Sequence, residues 1–191
     1  VASRLGLTGI PSIAETIALA THLELARVTG VHLHVCRVSA AESVAMLRAA
    51  KANGVRVTAD VAVNHLHLID LDMGHYDSNF RLSPPLRTSR DRDALRAGVI
   101  DGTIDAIVSD HTPRQDDAKQ LPFAEAAPGA TGLETLLSLT LRFADATKLP
   151  LSAALSRITH NAADAARLPA GRIAVDAAAD LCVFDPGAYR L

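Results

Sequence analysis

Three short segments with strand-like patterning, each preceded by a helical stretch, constrain this chain more than any other feature. Residues 31–39 (VHLHVCRVS) set Val31, Leu33 and Val35 against His32, His34 and Cys36, and residues 55–63 (VRVTADVAV) alternate in the same way. Residues 105–109 (DAIVS) are a shorter, largely apolar run. A period of two marks a strand with one buried face. Residues 12–29, 40–52, 90–98 and 131–147 read instead as helices, and Gly30 and Gly54 stand where the first two should stop. Further short helices are expected up to Leu168. The order α-β-α-β-α-β-α predicts an α/β fold, a parallel sheet covered by helices whose right-handed crossovers set the strands side by side.

The tail breaks this rhythm. Residues 179–184 (ADLCVF) read as a strand outside the alternation, closed by Asp185 and Pro186, after a linker between Leu168 and Asp180 rich in Pro, Gly and small residues. Three parallel strands alone would leave both sheet edges open, and a complete (β/α)8 barrel takes about 250 residues. The 191 residues therefore read as part of something larger.

Charge excludes several partners. Nineteen Lys and Arg face 21 Asp and Glu, a net charge of −2, so there is no basic excess to hold nucleic acid. No apolar run approaches the ~20 residues of a membrane span, and the first fifteen residues lack the pattern of a secretory leader. Cys36 and Cys182, far apart in such a chain, read as reduced, buried thiols of a cytoplasmic protein.

Chemistry concentrates in a few places. Asp110 follows the third strand run, and the C-terminal ends of parallel strands are where active-site carboxylates stand. It could ligate a metal or act as a base; it could equally cap the following turn. His111 could bind substrate or steady Asp110. His32/His34 and His65/His67 are His-x-His pairs, and residues two apart on a strand share a face, so each pair could share an ion. The alternative is a histidine bonded to a backbone carbonyl. On strict alternation Arg37 shares a face with Leu33 and Val35, opposite His32 and His34. Arg87, after two prolines, could hold a carboxylate or lie solvated. Residues 128–134 (PGATGLE) form a Gly-rich helix entry suited to an anion or a carbonyl, or simply an N-cap at Thr131. No Walker loop, dinucleotide fingerprint or nucleophile elbow is present.

Taken in order, these motifs resemble the C-terminal half of bacterial dihydroorotases, of the amidohydrolase superfamily. LTGIPSIAE at 7–15 resembles the approach to that family's fifth barrel helix, and HVCRVS at 34–39 its sixth strand. Asn79-Phe80 with PPLR at 84–87 resembles the substrate loop, and residues 101–111, ending in Asp110-His111, the eighth strand. PGATGLE resembles a later active-site loop, and residues 171–186 the return into a small β-sandwich domain. The resemblance implies a partial barrel over 1–168, about strands six to eight, and the start of a return strand over 169–191.

It also implies a chemistry: zinc-assisted opening of the dihydroorotate ring, or its closure from carbamoyl aspartate, with Asp110 as general base of a metal-bound water. At the residues that matter, however, this chain departs from the family. The strand-six ligand histidine is Arg37, and guanidinium has no free lone pair to give a metal. Ser83 replaces the loop asparagine, Arg114 a substrate histidine, and Asn64 the first of two paired histidines; Pro128 and Gly129 stand at substrate-binding positions. The family's first ligands would lie upstream of Val1. The expectation is a non-catalytic protein of pyrimidine biosynthesis without a cofactor, assembling with the catalytic chains of aspartate carbamoyltransferase. In that case Arg37 replaces the metal's charge and forms a buried pair with Asp110. The alternatives are an active zinc-dependent dihydroorotase and a scaffold unconnected to pyrimidines.

Overall fold

The computed structural model describes residues 9–187. Leu7 and Thr8 of the first motif, and residues 188–191 of the expected small-domain strand, lie outside the described residues. Helix α1 (Ser12–Thr29) ends where Gly30 turns left-handed, φ 68°, and returns its N–H to the Ala26 carbonyl. It is followed by β1 (Leu33–Val35), α2 (Ala41–Ala52), β2 (Val57–Ala62), α3 (Ser89–Asp101) and β3 (Ala106–Val108). The strands lie in the order β1-β2-β3, both pairs parallel, with Leu33 opposite Val57 and Asp60 opposite Ala106. This is the open section of wall that the alternation predicts.

The core lies between sheet and helices. Ala59, Val61 and Ile107 face Leu19 and Leu23 of α1, Val44 and Leu47 of α2, and Leu95 and Val99 of α3. Burying one such aliphatic side chain contributes about 1.5–3 kcal/mol. Gly98 lets α2 and α3 approach, since a Cβ there would stand 3.0 Å from Val44. Asp91 ties the starts of the same helices together. It bonds Thr88 as the N-terminal cap of α3 and also accepts the Ala41 N–H of α2 at 2.9 Å. Beyond β3, α4 (Asp116–Lys119) lies in the loop, and α5 (Leu136–Thr147) buries Phe143. Helices α6 (Leu151–Ile158) and α7 (His160–Ala165) pack against β3.

Four expectations are corrected. β1 stops at Val35, because Arg37 takes a left-handed conformation (φ 56°), so strand alternation no longer governs where its side chain points. Helix α5 begins at Leu136 rather than at Thr131, because residues 130–135 fold back onto the end of β3. Residues 179–184 form no strand; Leu181 and Val183 are exposed, and no described segment lies alongside to accept their backbone bonds. Cys36 and Cys182 are free as expected but exposed, one just past the end of β1 and the other in this extended tail. Among the described residues no helix is long and apolar enough to cross a membrane.

Candidate functional site at the strand ends

Both β1 and β3 pass at their C-terminal ends into a left-handed residue that is not glycine, Arg37 (φ 56°) and Asp110 (φ 47°). Such conformations cost about 1–3 kcal/mol and persist where the surroundings over-determine them. Here the constraints are visible. The Arg37 N–H donates to Asp60 Oδ1 at 2.7 Å, and its guanidinium Nη1 donates to Asp110 Oδ1 and to the Ser83 carbonyl, each at 3.1 Å. The expected pairing of Arg37 with Asp110 is thus direct. The pair is not fully buried, however: the Arg37 side chain is 44% exposed and that of Asp110 13%. Breaking it should cost about 0.2–1 kcal/mol, as for a solvent-screened ion pair, well below the figure for a buried one.

Beneath Arg37, the buried Asp60 of β2 receives a second bond, from His34 Nε2 at 2.9 Å. That bond, with the carboxylate's charge, raises the His34 pKa above the ordinary value against the opposing effect of burial. His34 Nδ1 lies 2.8 Å from Thr58 Oγ1, and His32 Nε2 reaches the same hydroxyl at 3.4 Å. Burial, and then the Asp60 charge, push the Cys36 thiol up.

The second histidine pair takes the carbonyl alternative. His65 Nε2 meets the Pro85 carbonyl at 3.3 Å, and His67 Nε2 the Leu139 carbonyl at 3.0 Å. Burial lowers both pKa values, which keeps the rings neutral. The two rings bond to different elements and share no partner.

Around the pocket, several expected roles change. His111 does not bond Asp110; its Nδ1 accepts the Gly132 and Leu133 N–H groups, each at 3.2 Å, and the ring is exposed. Those amides are thereby removed from any anion. Arg114 Nε donates to the Pro128 carbonyl at 2.8 Å, and the Gly129 N–H to the Arg81 carbonyl at 2.9 Å, so both loop positions are engaged in holding the loop. Gly132 is required where it stands, because a Cβ would run into the Ser109 carbonyl. Arg87 is not solvated. Its side chain is 10% exposed, with Nε donating to Ser39 Oγ at 3.1 Å and Nη2 3.9 Å from the Glu15 carboxylate. Glu15 also accepts the Ser39 and Ala40 N–H groups, at 3.1 Å each, and so orders the turn into α2.

Zinc is the metal that the family resemblance implies here, and the donor set at Asp110 does not fit it. The carboxylate already carries a guanidinium, which offers no lone pair. Among the described residues, no three His, Cys, Asp or Glu side chains that include Asp110 come close enough to share an ion. Of the two carboxylates that organise the site, Glu15 closes the LTGIPSIAE motif, which says nothing of its partners, and Asp60 lies outside every motif. Asp60 does carry a signal, a carboxylate inside the otherwise apolar run VTADVAV.

Residues 3–190 match the Amidohydrolase family. A dihydroorotase-like protein of Pseudomonas aeruginosa is 45% identical over 185 residues, covering 97% of this chain and 44% of the relative. A dihydroorotase of Syntrophotalea carbinolica is 44% identical over 186 residues, covering 97% and 44%. The chain thus spans less than half the length of these relatives. Among solved structures, the L-hydantoinase (dihydropyrimidinase) of Arthrobacter aurescens superposes with a TM-score of 0.82 at 24% identity, covering 88% of this chain and 39% of that one. The inactive dihydroorotase-like domain of a Chaetomium thermophilum CAD-like multifunctional protein gives 0.60 at 24% identity, covering 78% and 41%. At such identities the likeness establishes the fold alone, a section of a TIM barrel.

Proposed function

The chain belongs to the amidohydrolase family, and on that premise we propose that it is part of a dihydroorotase-like protein of pyrimidine biosynthesis that no longer catalyses ring opening. The observation that carries this reading is the 3.1 Å contact between Arg37 Nη1 and Asp110 Oδ1. In a working dihydroorotase the strand-eight carboxylate takes a proton from a metal-bound water. Here a permanent cation engages that carboxylate, and it enters from the strand position where a ligand histidine would stand. Ser83, Pro128 and Gly129 through their backbone groups, and Arg114 through its Nε, help hold the loops together. In the same proposal the protein needs no cofactor, is cytoplasmic, and assembles with the catalytic chains of aspartate carbamoyltransferase. That partnership rests on the resemblance to non-catalytic dihydroorotase-like chains.

The second reading, an active zinc-dependent dihydroorotase, is favoured by relatives that carry that name. One experiment separates them. Dihydroorotate hydrolysis and carbamoyl-aspartate cyclisation are assayed on the full-length protein with and without added zinc, alongside co-elution with aspartate carbamoyltransferase. Co-elution without turnover supports the proposal, and Arg37→His alone should leave activity absent because Asn64, Ser83 and Arg114 remain. Zinc-dependent turnover that Asp110→Asn abolishes overturns it.

A further inference from the structure

His34, Cys36 and Asp60 place a ring nitrogen, a thiol sulfur and a carboxylate oxygen within 4.8 Å of one another. We propose that these three residues form a binding site for a zinc-class divalent cation, beneath the Arg37–Asp110 pair and independent of it. The donor set selects the ion. Nitrogen with thiolate suits zinc and its chemical neighbours, whereas magnesium and calcium take oxygen ligands.

Geometry and hydrogen bonding prepare the site. With metal–ligand bonds of about 2.0–2.3 Å, ligand atoms in a tetrahedral site stand roughly 3.3–3.8 Å apart. His34 Nε2 and Asp60 Oδ2, now 2.9 Å apart, need only separate by a few tenths of an ångström. The cation takes the place of the proton between the ring nitrogen and the carboxylate; that proton moves to Nδ1 of a neutral ring or leaves a doubly protonated one. Binding also releases the Cys36 thiol proton. Once Nε2 ligates, Nδ1 carries the ring's hydrogen, and Thr58 Oγ1 stands 2.8 Å away to accept it. A metal-bound histidine normally has an outer partner of this kind, which fixes its orientation. The Asp60 carboxylate is oriented likewise, with Oδ1 held by the Arg37 N–H at 2.7 Å.

Access and charge agree with this assignment. His34, Cys36 and Arg37 line a cavity of about 290 Å³, with Glu15 and His22 of α1 across it. The exposed Cys36 gives an ion a path from solvent. The Arg37 guanidinium is directed to Asp110 and the Ser83 carbonyl. Three protein donors leave a fourth position on the cavity side for water or an exchangeable ligand, the arrangement of an open zinc site. The His-x-His pattern pointed to the wrong second ligand. His34 finds its partners two residues along the chain, at Cys36, and across the sheet, at Asp60.

Cobalt(II) is the probe, added to full-length protein stripped with a chelator. The expected result is one bound cobalt with a thiolate-to-cobalt charge-transfer band, lost in Cys36→Ser and kept in Cys182→Ser and Asp110→Asn. Thr58→Val, which removes only the outer hydrogen bond, should weaken binding by about 10–100-fold. In the unsubstituted protein, zinc should shield Cys36 from alkylation while Cys182 stays reactive, a readout that needs no variant to fold. Absence of the band and of shielding, or a band that survives Cys36→Ser, overturns the proposal. Binding lost in Asp110→Asn but kept in Cys36→Ser would place the ion at the strand ends, and the proposed loss of zinc chemistry would fall with it.

Discussion

Helices α2 and α1 cover the same sheet, yet only α2 is finished on both sides. α2 buries Val44, Leu47 and Ala50 and exposes no large aliphatic residue, with α1 on one flank and α3 on the other. α1 buries Leu19, Leu23 and Ala26 against the sheet, while Ile13, Ile17 and Val28 on its opposite face are 58–68% exposed. Beside it, β1 is hydrogen-bonded on one edge only among the described strands. An amphipathic helix with one apolar stripe is satisfied by one neighbour. A helix apolar on two faces is suited to two neighbours, and the described residues cover only one of those faces on α1. The middle of the wall is closed by the described residues themselves; its first edge, in a chain that spans less than half the length of its relatives, is not.

The contrast can be broken most directly at Leu47, which is fully buried. Leu47→Ala should destabilise the protein by about 2–5 kcal/mol in denaturant unfolding, as cavity-forming substitutions do. A loss below about 1 kcal/mol would mean that the centre is no better packed than the edge.

An intermediate effect is expected at Asp91, which joins α2 to α3 and has no counterpart at α1, whose first turn begins after Pro11 without a side-chain cap. Asp91→Asn should cost about 1–3 kcal/mol near neutral pH by weakening charged hydrogen bonds. Burial pulls the Asp91 pKa up, but bonds from Thr88 and from the Ala41 N–H outweigh it, and the value ends below the ordinary one for aspartate. A carboxyl depressed in the folded state binds its proton more readily when unfolded. Its stabilisation is therefore complete above the ordinary aspartate value and is lost as pH falls through the depressed one. Unfolding measured across the acid range should show a shallower decline in Asp91→Asn; an unchanged slope would remove Asp91 from the explanation.

The smallest effect belongs to the edge. Ile17→Gln should change stability by no more than about 0.5 kcal/mol, while light scattering should show weaker association. If Ile17→Gln instead unfolds the protein as Leu47→Ala does, the outer face of α1 is already part of a packed core and the contrast disappears.

Half of the candidate site is legible in the sequence. Arg37 and Asp110 follow strand-patterned runs, and parallel strands bring their C-terminal ends to one side of the sheet, so their meeting follows from spacing. The depth of that pair does not, because exposure depends on what lies above the strand ends, and the buried pair expected there is half open to solvent on the Arg37 side. Asp60 lies 26 residues from His34, and Glu15 24 from Ser39. No local pattern announces such pairs. Arg87 shows the same limit: a loop arginine by sequence, it is enclosed because Ser39 and Glu15 converge on it from other elements.

What the sequence determined by itself is whatever depends on a few neighbouring residues. Helix α1 occupies the expected 12–29 because Pro11 starts it and Gly30 takes the left-handed stop. The three strands pair in parallel because helical crossovers allow little else. The tertiary structure decided where elements end against one another. β1 stops early because the Arg37 N–H turns to Asp60 on the neighbouring strand, and α5 starts late because the Gly132 and Leu133 N–H groups bond His111 before the helix can begin. Residues 179–184 have the alternation of a strand but no partner among the described residues, and a strand is stable only in the company of another.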